Sequence, residues 1–329
     1  MIVKDKDNFD SKKLQGHGLP VIESVNHLLS LIEFTDEDEK KYLFSKNREN
    51  IYRVIKIPKK NKWNKKRIIE IPCKRIYDVQ KAIYNVILKR FKVSEFCNSY
   101  VKGKSIKDNA VVHIGCKTLL KFDITDFFPS IKMDRVYRQF RFYGYGDYVS
   151  KYLSYLCLNK DLALPQGAPT SPALSNIVCV KLDKRIGTYC RNNDLIFSRY
   201  ADDITISSKE KLTINQIEKI RYVINKIIID EKFEPNESKF HYFYSGQRLM
   251  VTGLVVNNML SVPKEMYDEL DNAIRFIKIY GLNDHLKHIN SKIDNYQNHL
   301  FGLAYYIKSI NKDKGNKYIE DLINLFEDE

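Results

Sequence analysis

Two runs of β-forming residues, Leu195–Tyr200 and Ile204–Ser207, are separated only by Ala201-Asp202-Asp203. So short a link folds the runs into an antiparallel hairpin and sets both carboxylates at its tip. Asp in a tight turn is ordinary, because it tolerates unusual backbone angles and bonds locally. Here β-formers bracket the turn, so the acids project from a rigid base. A third aspartate, Asp123, stands near the C-terminal end of another apolar strand, Thr118–Ile124. Between these acids lies Leu164-Pro-Gln-Gly-Ala-Pro-Thr-Ser-Pro172, a Gln166-Gly167 turn followed by a helix start. Ser171 suits the cap of that helix and Pro172 its first position.

Carboxylates in two strand contexts point to metal-dependent nucleotidyl transfer. Joining a nucleoside triphosphate to a sugar hydroxyl calls for two divalent ions about 3.5–4 Å apart. Mg²⁺ takes hard oxygen ligands and keeps several waters, so a few carboxylates suffice without His or Cys. Asp123 and Asp202 read as bridging ligands of two Mg²⁺ ions, with Mn²⁺ as a substitute, and Asp203 as a supporting ligand. Asp126 reads as a turn residue whose neighbouring amides face the triphosphate. Of Phe127 and Phe128, at least one belongs to the core. Phe128 reads as a ring beneath the incoming sugar, where a 2′-hydroxyl would collide with it. Gln166 and Gly167 offer an amide and a close backbone approach. Arg67, beside Lys66, suits a triphosphate clamp. Lys239 reads either as a proton donor to pyrophosphate or as a plain phosphate contact.

With 329 residues, 43% of them hydrophobic and 29% charged, the chain has the make-up of a globular protein. No apolar stretch approaches the ~20 residues a bilayer helix needs. The start, Met-Ile-Val-Lys-Asp, lacks the sections of a signal peptide, so a cytoplasmic protein with no membrane partner is expected. Six scattered cysteines without Cys-x-x-Cys spacing read as reduced, buried thiols. Net charge is +14, and residues 51–110 hold 17 Lys and Arg against 4 Asp and Glu. Interleaved with Tyr52, Trp63, Tyr77, Tyr84, Phe91 and Tyr100, that excess fits a phosphate-backbone surface. Residues 261–329, with 9 basic and 12 acidic side chains, are mildly acidic.

Elsewhere the pattern predicts short helices over 20–50 and strands at Ile51–Ile57 and Arg67–Ile71 joined by a basic link. It predicts helices over Asp78–Phe91, Met133–Phe142, Tyr148–Leu158 and Ile214–Ile229, and one from Ser171 through Leu182 and Ile186. Leu249–Val256 reads as a hairpin strand. From Pro263 the spacing is helical, with Met266, Leu270, Ile274 and Ile277 on one stripe and Ile289, Ile293, Leu300, Leu303 and Ile307 on others.

In this order, Asp123-Ile-Thr-Asp-Phe-Phe128, Leu164–Pro172 and Tyr200-Ala-Asp-Asp203 resemble three successive palm motifs of reverse transcriptases. Asn236-Glu-Ser-Lys239 resembles the next motif, and Val251-Thr-Gly-Leu254 the segment leading toward the primer grip. Asn109-Ala-Val-Val-His113 and Val251-Thr252-Gly253 are similar to two signatures of bacterial retron reverse transcriptases. The resemblance covers roughly residues 15–310.

It implies an α+β right-hand fold with a central antiparallel palm sheet flanked by helices. Residues 1–117 and part of 133–165 would form the fingers, 118–257 the palm, and 258–329 a helical thumb. It implies an RNA-directed DNA polymerase that takes dNTPs and a cognate non-coding RNA as template and primer. Synthesis would start from a 2′-hydroxyl of that RNA and give branched multicopy single-stranded DNA, in an anti-phage system with an effector protein. It sets Asn109, His113, Val251, Thr252 and Gly253 among the residues that engage RNA. On the residues alone, His113 equally reads as a satisfied core histidine and Gly253 as a strand distortion. The acidic C-terminal helices depart from a basic thumb, leaving Lys278, Lys287, Lys292 and Lys308 as local grips. The rivals are another prokaryotic reverse transcriptase, of group II intron or diversity-generating type, and a non-catalytic RNA-binding component of a defence complex.

Overall fold

The computed structural model describes residues 7–34, 51–58, 66–289 and 295–327. Expectations for 35–50, for the basic link 59–65 with Trp63, and for Lys292 and Ile293 lie outside the described residues.

A basic hairpin comes first, with β1 (Tyr52–Pro58) antiparallel to β2 (Lys66–Pro72). The central sheet uses β3 (Thr118–Asp123), β4 (Ile196–Tyr200), β5 (Asp203–Ser208) and β6 (His241–Tyr244). Its order is β4-β5-β3-β6, and every pairing is antiparallel. β3 lies inside the sheet and is covered on both faces, which is why it reads as an almost unbroken apolar run.

Side-chain alternation divides what each face of the sheet meets. Leu120, Phe122, Phe197, Ile204 and Ile206 point into the larger core. There they meet Val136 and Phe140 of helix Met133–Tyr143, Leu174 and Ile177 of Ser171–Val178, and Ile217, Ile220 and Ile224 of Ile214–Asp230. Leu119 points the other way, into a second core with Ala110, Cys116, Val251 and Leu254. Among the described residues, helices Lys264–Tyr280, Tyr296–Ile310 and Lys312–Glu327 complete that core through Leu270, Ile277, Leu300, Ile307 and Leu322, and Leu282–His288 packs at its margin through Leu286. Of the predicted Met266 stripe, Leu270 and Ile277 are buried, while Met266 and Ile274 pack at its margin. With both faces covered, the sheet is open toward the end that carries Asp123, Asp202 and Asp203.

Two helices differ from the sequence expectation. The segment predicted from Ser171 through Ile186 is broken at Cys179, whose ψ of −4° ends Ser171–Val178 before Val180–Arg191 begins. Thr170 occupies the cap position and Ser171 the first turn, with both hydroxyls turned inward, one residue earlier than the capping preference indicates. The helix expected over 78–91 runs from Lys74 to Val86, and a 3₁₀ turn, Leu88–Arg90, follows the buried Ile87.

Candidate active site

Asp123 and Asp203 are register partners across β3 and β5, and Tyr200 pairs with Asp203 across β4 and β5. Ala201 and Asp202 are therefore the two turn residues of the hairpin. Ala201 takes a left-handed φ of 57°, one of the positive values that two-residue hairpin turns require. Asp202 is tied back to β3, because its carbonyl accepts the Ile124 N–H at 3.2 Å. All three carboxyl groups thus belong to one end of one sheet.

Their charges repel. Burial, then the Asp123 charge, pushes Asp202 above the usual carboxylate range. Asp203 is pushed up to about 6 by the protein crowded around it and then by Asp202, although its own surface remains open. Asp123 is buried and has local partners: Oδ1 accepts from Asn236 Nδ2 at 2.9 Å and Oδ2 from Lys239 Nζ at 2.6 Å. Partial burial works against the charge on Lys239, but its bond to Asp123 prevails and raises its pKa. So Lys239, read from sequence as a pyrophosphate or phosphate contact, sits on the carboxylate of Asp123. Among the described residues no three His, Cys, Asp or Glu side chains close around a point as a finished metal cage. The donor set still fits Mg²⁺, which uses one or two carboxylates and completes its shell with water and substrate phosphate.

The remaining residues are distributed around this end. Arg67 and Lys66 lie exposed on β2, and the Arg67 charge reaches Asp202 and lowers its pKa. Gln166 accepts the Glu70 N–H of β2 at 2.9 Å, which docks the basic hairpin on the Gln166-Gly167 turn. Gly167 has φ 137°, and a Cβ there would lie 2.8 Å from the Glu70 carbonyl oxygen, so only glycine allows that docking. Asn159 Nδ2 adds bonds of 3.0 and 2.9 Å to the Glu70 carboxylate. Phe127 is the core aromatic of its pair and stacks on Phe233 at 5.8 Å, while Phe128 is half-buried. Asp126 is exposed, with φ 42°, and starts the turn Phe127–Ser130.

The support beneath the hairpin was not read from sequence. Arg199, fully buried on β4, donates to both Asp183 oxygens at 2.6 and 2.9 Å and to the Ala201 carbonyl at 3.0 Å. Ser99 Oγ accepts the Ala201 N–H at 2.7 Å, and Asn176 Nδ2 donates to the Ser99 carbonyl at 2.8 Å. A lone Arg within a run of β-formers was the available signal, since a buried guanidinium requires a carboxylate partner.

In the first of the two short signatures, burial corrects the assignment of Asn109 and His113 as RNA contacts. Asn109 and His113 are fully buried, so neither side chain presents a surface to RNA. His113 bridges two strands, Nε2 to Ser198 Oγ at 2.8 Å and Nδ1 to Ser207 Oγ at 2.7 Å. Burial, helped by the Lys209 charge, pushes its pKa down to about 3, so the ring is neutral and bonds through both nitrogens. Asn109 accepts from Asn98 at 3.2 Å. Thr252 and Gly253, with φ 47° and 84°, form the tight turn between β7 (Met250–Val251) and β8 (Leu254–Val255). Val251 is buried, whereas Gly253 is exposed. Thr252 Oγ1 donates to the Ile106 carbonyl at 3.0 Å, so the segment carrying Asn109 and His113 braces this hairpin too.

This constellation is that of a nucleic-acid polymerase palm, and comparison with known proteins agrees. The family model described as reverse transcriptase (RNA-dependent DNA polymerase) matches residues 57–304. The chain belongs to that family and is an RNA-directed DNA polymerase with the reverse transcriptase fold. Retron enzymes are among the relatives it matches. It is 31% identical to the retron Ec86 reverse transcriptase of Escherichia coli over 288 residues, 87% of this chain and 88% of that protein. It is 27% identical to the retron Mx65 reverse transcriptase of Myxococcus xanthus over 327 residues, 94% of this chain and 73% of that protein. Among solved structures, a Candida albicans telomerase in complex with a telomeric RNA fragment superposes with TM-score 0.47 and 11% identity, over 85% of this chain and 62% of that one. No helix among the described residues is long and apolar enough to cross a membrane.

Proposed function

We propose that this reverse transcriptase copies part of a cognate structured RNA into branched multicopy single-stranded DNA. Synthesis begins at a 2′-hydroxyl of the same RNA, and the product serves anti-phage defence beside an effector protein. The similarity to retron enzymes supports this reading. The observation that carries the chemistry is the pairing of Asp123 with Asp203, next to the Asp202 turn, at the open end of the sheet.

Asp123 and Asp202 are the residues to hold a Mg²⁺ pair, or Mn²⁺ in its place, with Asp203 in support. When bound, such a pair activates the attacking hydroxyl and neutralises the leaving pyrophosphate. The chain's own residues do the rest. Asn236 orients the Asp123 carboxylate, and Lys239 balances its charge until the nucleotide arrives. Arg67, with Lys66, binds the triphosphate from β2, while Gln166 and Gly167 align that strand with the sheet. Phe128 lies under the sugar and favours deoxyribose. Residues 1–117 with part of 133–165 act as fingers, 118–257 as palm and 258–329 as thumb.

The test incubates purified protein with the structured RNA encoded beside its gene, dNTPs and Mg²⁺. A product that debranching enzyme shortens supports the reading. Extension solely from a supplied 3′-hydroxyl primer overturns 2′-hydroxyl priming. Asp202→Asn abolishes synthesis while RNA binding persists, and synthesis retained in that variant overturns the catalytic assignment.

A further inference from the structure

Tyr100 has a backbone that an aromatic residue rarely adopts. Its φ is 57°, in the left-handed region that costs a side-chain-bearing residue roughly 1–2 kcal/mol. Its ring is nonetheless 48% exposed, so burying it in a core does not offset that cost. Strain of this kind persists where the surroundings fix it and often accompanies a functional role.

The surroundings here are the catalytic hairpin. Asn98 N–H donates to the Arg199 carbonyl at 2.9 Å, and Arg199 N–H donates to the Phe96 carbonyl at 2.8 Å. Ser99, the preceding residue, accepts the Ala201 N–H at 2.7 Å. Tyr100 is therefore stapled to the Ala201-Asp202 turn and follows it. Its ring centroid lies 6.3 Å from that of Phe128, tilted by 49°. Burial and then the Asp202 charge raise the pKa of its hydroxyl, and Arg67 is the cation that acts against them. The ring thus stands beside Phe128, the group assigned above to the sugar, on a segment bonded to the residue that precedes Asp202.

We propose that Tyr100 is a wall of the incoming dNTP pocket, packing with Phe128 against the nucleotide's sugar and base. The proposal rests on the polymerase reading of Asp202 and Phe128. It adds a substrate contact supplied from outside the sheet and carried by the 96–100 segment that staples the turn. An aromatic face tolerates any base, so the contact sets affinity for dNTPs without choosing among them.

Steady-state single-nucleotide extension from a 3′-hydroxyl primer on an RNA template tests it, read as KM for dNTP separately from kcat. Tyr100→Asn is the informative variant, because Asn accepts the left-handed backbone and removes only the ring. It raises KM for all four dNTPs roughly tenfold, the scale of one base–aromatic stack, and leaves kcat within about threefold. Tyr100→Phe keeps the wild-type KM. Tyr100→Asn also raises ribonucleotide incorporation, since Phe128 loses its neighbour. An unchanged KM in Tyr100→Asn overturns the proposal, and so does a fall in kcat alone. A KM that rises equally in Tyr100→Phe overturns the role of the ring face. An active Asp202→Asn enzyme would instead defeat the polymerase reading itself, so the two failures are distinguishable.

Discussion

Arg199 and Asp183 form a two-bonded ion pair with no exposure on either side chain, and the same guanidinium holds the carbonyl of Ala201 in the Ala201-Asp202 turn. The pair joins helix Val180–Arg191 to β4, the strand that leads into the Ala201-Asp202 turn. Removing one partner strands a buried charge, which costs about 3–5 kcal/mol. Asp183→Ala is expected to lower the unfolding free energy by that amount in urea denaturation. Adding Arg199→Met recovers much of the loss, because no charge is then left alone. The double variant stays slow in primer extension, since Ala201 has lost its tie.

The raised pKa values of the acids have a sign that can be worked out. In the unfolded chain Asp titrates near 3.9, whereas native Asp203 titrates near 6. Between these values the native state binds more protons, so stability falls as pH rises through that window and stays lowered above it. Asp203→Asn is expected to raise the melting temperature at pH 7.5 and to leave it nearly unchanged at pH 3.5. Mg²⁺ at neutral pH raises the wild-type melting temperature, and the gain shrinks in Asp202→Asn. Calorimetry across pH and Mg²⁺ checks both.

Synthesis has its own pH limb. In the proposed ligand role, a proton on Asp203 competes with Mg²⁺, so at subsaturating Mg²⁺ the rate falls as pH drops through about 6, and excess Mg²⁺ offsets the loss. A rate that stays flat from pH 8 to pH 5 at subsaturating Mg²⁺ on a stable primer-template would contradict this.

Phe128 is half-buried, packed on the larger core with the Tyr100 ring 6.3 Å away. Phe128→Ala opens the space under the sugar and is expected to raise ribonucleotide incorporation at least tenfold relative to dNTP, roughly 1.4 kcal/mol of discrimination. Competition between rNTP and dNTP in primer extension reads the ratio, and unchanged discrimination rules out the gate.

His113, bonded to Ser198 and Ser207 on adjacent strands, is expected to act through stability. His113→Ala takes a partner from each of two buried hydroxyls, leaving Ser198 only its 3.3 Å bond to the Asn109 carbonyl, and opens a cavity, at a cost of about 2–4 kcal/mol. RNA affinity at a temperature where the variant remains folded stays within about threefold. A large affinity loss in a fully folded variant would restore direct RNA contact to this position.

Much of this molecule is legible in residue order because its causes are local. Period-two runs around Ala201-Asp202 indicate a hairpin, and the apolar run ending at Asp123 indicates an interior strand. Spacing from Pro263 onward indicates helices. These features depend on side-chain alternation and turn chemistry within a dozen residues. The pairing of Asp123 with Asp203 joins positions 80 residues apart, and it follows once both segments are taken as strands of one sheet.

Other features arise only when distant segments are packed together. Nothing near Arg199 in the chain names Asp183 as its partner, and nothing near Ser99 announces a bond to Ala201. On residue order alone His113 reads equally as an RNA contact or a satisfied core histidine, and burial decides for the second, because hydroxyls on two strands satisfy both imidazole nitrogens. Lys239 meets Asp123 because β6 lies beside β3, which is a fact of sheet order. Local pattern therefore determined the strands, helices and acidic tip of this protein. Tertiary structure decided which polar groups are sealed beneath that tip and which stay open to solvent, since desolvation depends on everything packed around a group.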